Sequence, residues 1–498
     1  MKCTKWMFVG VAAFISVFGS ARMAIGQQPA TDLPVNQMTS YKGEEFLLIG
    51  NANRGAGEPV IAINPKDPNN IIVGGMANLH YVEGQTLEMG QHGFEPNSLM
   101  KYRNTPGTSI SIYAISHDRG RTWTYMEDPF RDYFKMNTTA DTFVGTGADG
   151  TLFIGSMHFF PVNPTPEMIA QEKDPNGFLY GGIGIAWSSD QGKTWSSPKF
   201  VMGQNTPLEE YGPGMKPHFI GTTPYDRPFL ITDQSTGTIY VPGNGSSPHR
   251  ETFIRASRDN GKTWGLVNAY DSPDYPQGGG SARPAAAHGV LGVAYVASSA
   301  PSNSGAKCPC LVFGASRDEG LTFERHIVRT DLPVMRGYFG FGDPSLAADP
   351  SHPGRFALMS LTEGNAAMQI YLTDDYGKSW KGPVLTGSVP GATISRPDMA
   401  YSPRGELAVM WLAVNSQDKT YTAWSAASHD GGSVFSAPLQ VSRAPSPTRS
   451  AIKKRGNNWD GDDLSSIAVD NDFVHIVWAD GRAGFLGDWY ARIPLASY

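Results

Sequence analysis

An eight-residue phrase recurs six times along the 498-residue chain: Ser or Thr, any residue, Asp, any residue, Gly, two variable residues, then Trp or Phe. The first copy is Ser116-His117-Asp118-Arg119-Gly120-Arg121-Thr122-Trp123, and the others occupy 188–195, 257–264, 316–323, 373–380 and 428–435. The Asp falls at 118, 190, 259, 318, 375 and 430, so successive copies are 72, 69, 59, 57 and 55 residues apart. Such an interval marks one supersecondary unit repeated. It predicts one large closed unit where length alone would allow two or three domains.

Each copy follows β-rich sequence of one recurring form. In the first unit, apolar runs at 59–63, 71–73 and 109–115 are separated by turn formers such as Asn64-Pro65 and Asn69-Asn70, and a fourth strand starts at Trp123. Short β-branched and aromatic runs bounded by Asn, Asp, Gly and Pro read as strands joined by tight turns. Four strands per unit, radially repeated, predict an all-β fold, a β-propeller. After the last copy, 465–469, 473–478 and 488–493 supply three strands without the phrase, and Glu45–Ile49 stands alone near the N-terminus. Pairing that strand with the final three makes a seventh blade and closes the ring without an open edge. Seven blades are therefore expected, with six as the alternative. Within the phrase, the Asp can accept backbone N–H bonds of a tight turn, the Gly permits positive φ, and the aromatic ring packs between sheets. These are folding residues.

Residues 1–26 carry Lys2 and Lys5, an apolar run over 6–18, and Ala24 and Gly26 placed for cleavage before Gln27. That pattern reads as a secretory signal peptide, its apolar run being shorter than the ~20 residues a membrane span needs. The expectation is a secreted or periplasmic monomer with no membrane span: a signal peptide at 1–26, a flexible N-terminal segment at 27–40 and one propeller domain at 41–498. Loss of Lys2, Lys5 and Arg22 with the signal moves the formal charge from −6 to −9, which argues against nucleic acid as a partner. Cys308 and Cys310 have only Pro309 between them, a spacing that disfavours a disulfide and offers too few ligands for zinc.

The recurring phrase is the Asp box, and over essentially the whole chain after the signal the protein resembles sialidases and bacterial neuraminidase-repeat proteins. The resemblance implies boxes at the turn between the third and fourth strands of a blade, and a ligand site at the channel mouth on the opposite face. It implies less about activity, because the box also occurs in other glycosidases, in lyases and in noncatalytic propellers, and fold does not fix function. Loops at 76–108 and 157–181 would build that face, bringing His80, His158 and Tyr180. Aromatic rings offer sugar-stacking surfaces and His offers acid/base groups.

Aligning the first strand of each unit on its turn exposes a second pattern. Glu58, Arg227, Arg283, Asp343 and Arg396 each precede a proline, with Asp141 and Asp463 near the same place in the other two units. If these positions face the mouth, three arginines meet several carboxylates. Guanidinium groups bond carboxylates in bidentate fashion and keep their charge, so the arrangement suits an acidic ligand. The resemblance points the same way, since sialidases hold the sialic acid carboxylate with three arginines; Arg227, Arg283 and Arg396 are the candidates. The competing arrangement is a structural ring of salt bridges to Glu58, Asp141 and Asp343.

The chain departs from the family in its motifs. The Phe/Tyr-Arg-Ile-Pro motif belongs near the N-terminus, but Arg-Ile-Pro occurs here as Arg492-Ile493-Pro494. Retaining hydrolysis needs a nucleophile and an acid/base group. The candidates are Asp343 and Glu58 at the mouth, and Tyr338 with Glu363 by loop position. Asp460, Asp462 and Asp463 could hold Ca²⁺ through hard oxygens, without the spacing of a calcium hand; no other metal or cofactor is expected. The expected function is that of an exported glycosidase-like propeller acting on or recognising an acidic oligosaccharide or glycoconjugate. A noncatalytic glycan- or protein-binding propeller and a polysaccharide lyase using a His/Tyr pair are the alternatives.

Overall fold

The computed structural model describes residues 39–40, 44–51, 55–78, 109–127, 129–130, 138–161, 179–203, 206–213, 215, 226–244, 252–332, 344–448 and 463–498. These residues form seven four-stranded blades around an axis. The innermost strands of blades 1 to 7 are Gly55–Ile63, Thr138–Thr146, Ile231–Thr232, Gln277–Ala287, Ser345–Ala348, Thr393–Tyr401 and Ser465–Val469. Successive strands of a blade pair antiparallel, and Glu45–Ile49 supplies the outermost strand of blade 7, with Glu45 opposite Ala491 of Gly487–Pro494. The ring closes as the sequence predicts. Thr39–Ser40 runs parallel to Leu439–Gln440 at the outer edge of blade 6.

Apolar runs are continuous in the second strands because both faces of each blade are covered. In Leu407–Asn415, Leu407, Val409 and Trp411 face blade 5 and pack with Met359 and Ile370, while Ala408, Met410 and Leu412 face blade 7 and pack with Ile476 and Trp478. Side chains alternate along a strand, so one apolar run serves two seams. Trp411 and Trp478 are fully buried, each worth about 2–3 kcal/mol of hydrophobic stabilisation.

The six Asp boxes share one hydrogen-bond pattern. In the first, Ser116 Oγ donates to Asp118 Oδ1 at 2.9 Å and accepts from Gly120 N–H at 2.8 Å, while Thr122 N–H donates to Asp118 Oδ1 at 2.8 Å. The turn requires two successive left-handed residues, one more than the sequence suggests. The residue before the Gly has φ of 63° at Arg119, 64° at Gln191, 56° at Asn260, 62° at Glu319 and 63° at Tyr376, and in the sixth box that place is Gly431. A non-glycine residue is uncommon there. In five boxes this turned side chain meets the preceding blade: Arg119 pairs with Asp470 and Asp472, Gln191 donates to Asp67, Asn260 donates to Asp149, Glu319 accepts from Arg258, and the Tyr376 ring lies 4.2 Å from the Arg317 guanidinium. Each such box is both a turn and a latch.

Cys308 and Cys310 form a disulfide, contrary to the expectation from spacing. The chain doubles back at Pro309 and brings their Cα atoms to 4.3 Å.

At the closing seam, buried Glu45 accepts from Arg482 at 2.7 Å and from Arg443 N–H at 3.0 Å, tying blades 6 and 7 to the N-terminal strand. Glu45→Ala is expected to cost about 2 kcal/mol, the scale of a lost charged hydrogen bond, read as a lower urea midpoint at unchanged slope. In the fifth box the Ser379 hydroxyl, above the other hydrogen bonds, pulls Asp375 down to about 2. A depressed folded value contributes stability above the unfolded value near 4, which is lost as pH falls toward 2. Asp375→Asn should therefore melt lower at neutral pH and lose less stability between pH 4 and about 2 than the parent.

Candidate functional site

The boxes lie on the same face as the turns between first and second strands, since Asn70 Nδ2 donates to Ser116 O at 3.2 Å and Asn260 Nδ2 to Asp149 at 2.7 Å. The innermost strands begin at the opposite face. There Glu58, Asp141, Arg227 and Arg396 all have left-handed backbone, with φ of 58°, 46°, 52° and 49°. In blades 1, 2 and 6 the ladder skips between Gly57 and Val60, Ala140 and Phe143, and Ser395 and Asp398. A bulge at a rim releases a side chain from the alternation of its strand and re-aims it. The position found by aligning Arg-Pro and Glu-Pro is thus a repeated bulge.

Three of these residues meet. Arg227 N–H donates to Asp141 Oδ2 at 2.7 Å, and Arg227 and Arg396 each direct a guanidinium at Asp463, at 3.5 and 3.7 Å. Arg227 and Arg396 are buried, whereas the Asp463 side chain is 22% exposed. Asp226, beside Arg227, is hydrogen-bonded to Asp141; burial first, then the charge of Asp141 and their shared bond, push Asp226 well above the usual carboxylate range. The cluster is two arginines, a carboxylate between them, and a carboxyl–carboxylate pair alongside.

Arg283 stands apart from this pair. In blade 4 the bulge falls between Gly279 and Arg283, so Arg283 is a ladder residue opposite Ala294. Its Nη1 pairs with Asp398 at 2.6 Å, and its guanidinium lies 5.3 Å from the Phe229 ring centre. Asp398 also accepts from Ser345 Oγ at 3.2 Å and Ile467 N–H at 3.4 Å. Burial pushes Asp398 up, opposed by Arg283 and these bonds. Farther along the same strands, Val60, Ile63, Val144, Phe229, Leu230 and Thr232 line a cavity of about 230 Å³. Its lining is mixed, with Thr146, Thr232 and Gln234 beside the aliphatic side chains.

The remaining candidates are dispersed. Glu58 is buried in its bulge, and Glu363 is exposed in the turn Glu363–Asn365 between the second and third strands of blade 5. His158 lies inside blade 2, fully buried, 3.2 Å from Ser156 Oγ and 4.8 Å from the Phe130 ring; burial holds it near 3, so it is neutral. Tyr180 opposes Phe160 in the ladder of blade 2. His80, Tyr338, Asp343, Asp460 and Asp462 lie outside the described residues. Among the described residues, no group of three His, Cys, Asp or Glu side chains is arranged to hold a metal ion. Sequence reasoning missed Asp226 and Asp398. Their signal was adjacency, in Asp226-Arg227-Pro228 and Arg396-Pro397-Asp398.

No family model matches the sequence, and no curated protein matches it. Solved structures do. A Dyadobacter fermentans protein of unknown function is 15% identical over 74% of this chain and 93% of its own, with a TM-score of 0.43. A Hadza microbial sialidase is 13% identical over 93% and 98%, with a TM-score of 0.43. A Trypanosoma rangeli sialidase bound to 2,3-difluorosialic acid is 11% identical over 91% and 58%, also with a TM-score of 0.43. At this level of likeness the chain's own residues carry the functional argument. No helix among the described residues is long and apolar enough to cross a membrane.

Asp226 gives the mouth a distinctive pH dependence. Because its folded value is raised, the native state keeps a proton that the unfolded chain releases above about pH 4. The associated stability is complete below that pH and is lost as pH rises through the folded value. Asp226→Asn has no such proton, so its urea midpoint should decline less from pH 4 upward than that of the parent. Identical pH slopes would show that native Asp226 is ionised.

Proposed function

We propose that this protein is an exported, sialidase-like propeller that recognises an acidic glycan at the channel mouth through Arg227 and Arg396. The observation that carries the reading is the pair of buried guanidiniums flanking one carboxylate, Asp463, at 3.5 and 3.7 Å. Both distances exceed an ordinary charged hydrogen bond of about 2.7–2.9 Å. By contrast, Arg283 and Asp398 are in close contact at 2.6 Å. The two arginines therefore surround a carboxylate without gripping it, and a ligand carboxylate of better geometry can displace the partly exposed Asp463. The chain's negative charge also disfavours nonspecific uptake of polyanions, so recognition depends on the two arginines of this site.

The tight Arg283–Asp398 pair favours a second reading for the third arginine, as an internal brace across the channel. Two arginines, and not three, then bind ligand.

The test is binding of sialylated, uronate-containing and neutral oligosaccharides to the full chain. Arg396→Ala should weaken binding of the acidic ligands about tenfold to a hundredfold, the equivalent of about 1.5–3 kcal/mol, and leave neutral ligands unchanged. Rising salt should weaken the acidic ligands selectively. Equal binding by parent and variant, or no preference for acidic over neutral glycans, would refute the reading.

A further inference from the structure

The disulfide between Cys308 and Cys310 has a placement that a structural staple does not need. A disulfide stabilises a fold mainly by restricting the unfolded chain, and the restriction grows with the length of the loop it closes. Only Pro309 lies between the two cysteines, so this bond restricts the unfolded chain very little. What it fixes is local. Cys310 opens the third strand of blade 4, Cys310–Ser316, opposite Ala297, and the box Ser316 ends that strand, so the disulfide lies at the mouth-side end of the blade. Cys310 is fully buried in the core between blades 3 and 4, whereas Cys308 is half-buried at the edge of that core. The carbonyls on either side of Cys308 hold the chain as it leaves blade 4: Asp331 N–H donates to Lys307 O at 2.9 Å, and Leu332 N–H donates to Pro309 O at 3.0 Å. Asp331 has left-handed backbone, with φ of 53°, a conformation that a non-glycine residue keeps only where its surroundings impose it. Leu332 belongs to the core between blades 4 and 5, with Leu311 and Leu346. The bend thus has a sulfur in one seam and, through two hydrogen bonds, a hold on the next.

We propose that Cys308–Cys310 is a reversible redox switch, opened by a dithiol, and that its opening releases the strained Asp331–Leu332 segment at the seam between blades 4 and 5. A thiolate of the dithiol attacks Sγ of Cys308, the more accessible sulfur. The S–S bond breaks, and its electron pair leaves on Sγ of Cys310, which takes up a proton. The second thiolate of the dithiol then attacks its own sulfur in the mixed disulfide and releases Sγ of Cys308, which is protonated in turn. Two electrons and two protons have passed to the protein, and the dithiol has become a disulfide. With the ring open, the carbonyls of Lys307 and Pro309 are free to turn, and Asp331 relaxes to ordinary backbone. Disulfides persist in oxidising surroundings and thiols in reducing ones, so the seam responds to the redox poise around the protein. The switch acts without a glycan at the mouth.

The experiment treats the full chain with dithiothreitol in the absence of denaturant and follows thiols and amide hydrogen exchange. Acid quenching, alkylation of the unfolded chain and peptide mapping should find both Cys308 and Cys310 as thiols. The amides of Asp331 and Leu332 should then exchange at least about tenfold faster than in the oxidised protein, the scale of a local opening freed of a modest hydrogen bond. Gly320 N–H, bonded to Ser316 Oγ at 2.8 Å in the box beyond the far end of the same strand, should exchange as before. Reoxidation by oxidised glutathione should restore the slow exchange. Cys308→Ser, which cannot form the bond, should behave as the reduced parent in either buffer; should that variant fail to fold, the parent alone decides. A disulfide reduced only when urea unfolds the chain, or exchange at Asp331 and Leu332 unmoved by reduction, would overturn the proposal. So would a urea midpoint that collapses on reduction, the mark of a staple.

Discussion

No blade of this protein can bury its own two apolar faces, and the whole architecture follows from that constraint. The middle strands, such as Leu407–Asn415, are apolar on both sides, so each sheet is stable only between two others. An open row would leave one such face and one sheet edge in water at each end. Closing the ring removes both. The closing strand, Glu45–Ile49, comes from the far end of the sequence, and buried Glu45 with Arg482 fastens the joint. The boxes act on the same constraint from the rim: their left-handed fourth residues reach across seams and lock neighbouring blades in register.

That closed ring positions the mouth. An innermost strand in regular alternation would send its side chains into the two adjoining seams. The bulges at Glu58, Asp141 and Arg396 interrupt that alternation, Arg227 shares their left-handed backbone, and Asp141, Arg227 and Arg396 gather with Asp463. Proline after Glu58, Arg227 and Arg396 suits such a break, because it cannot donate to the ladder. The strain of a left-handed charged residue is tolerated where the surrounding sheet determines its backbone, which is also where functional side chains are commonly held.

Much of this was legible in the residues. The box spacing gave the repeat, the unpartnered terminal strands gave the seventh blade, and the X-Pro recurrence marked the left-handed residues Glu58, Arg227 and Arg396. Aligning Arg283 with Arg227 and Arg396 by its proline placed three arginines together, but the bulge of blade 4 is displaced and Arg283 remains a ladder residue paired with Asp398. His158 illustrates the same difficulty: its loop position suggested the mouth, and its side chain is packed inside blade 2. The disulfide between Cys308 and Cys310 was disfavoured by spacing and made feasible by the turn at Pro309.

Sequence by itself determined the number of units, their strand order and the closure of the ring, because periodicity, turn chemistry and apolar runs are local properties repeated along the chain. Tertiary structure alone decided which charges meet. Asp141, Asp226, Arg227, Arg396 and Asp463 come from four blades or their margins, and a bulge shifted by a single residue redirects a side chain. Contact between Arg227 and Asp141, 86 residues apart, depends on how neighbouring sheets twist against each other, and no local pattern in the chain records it.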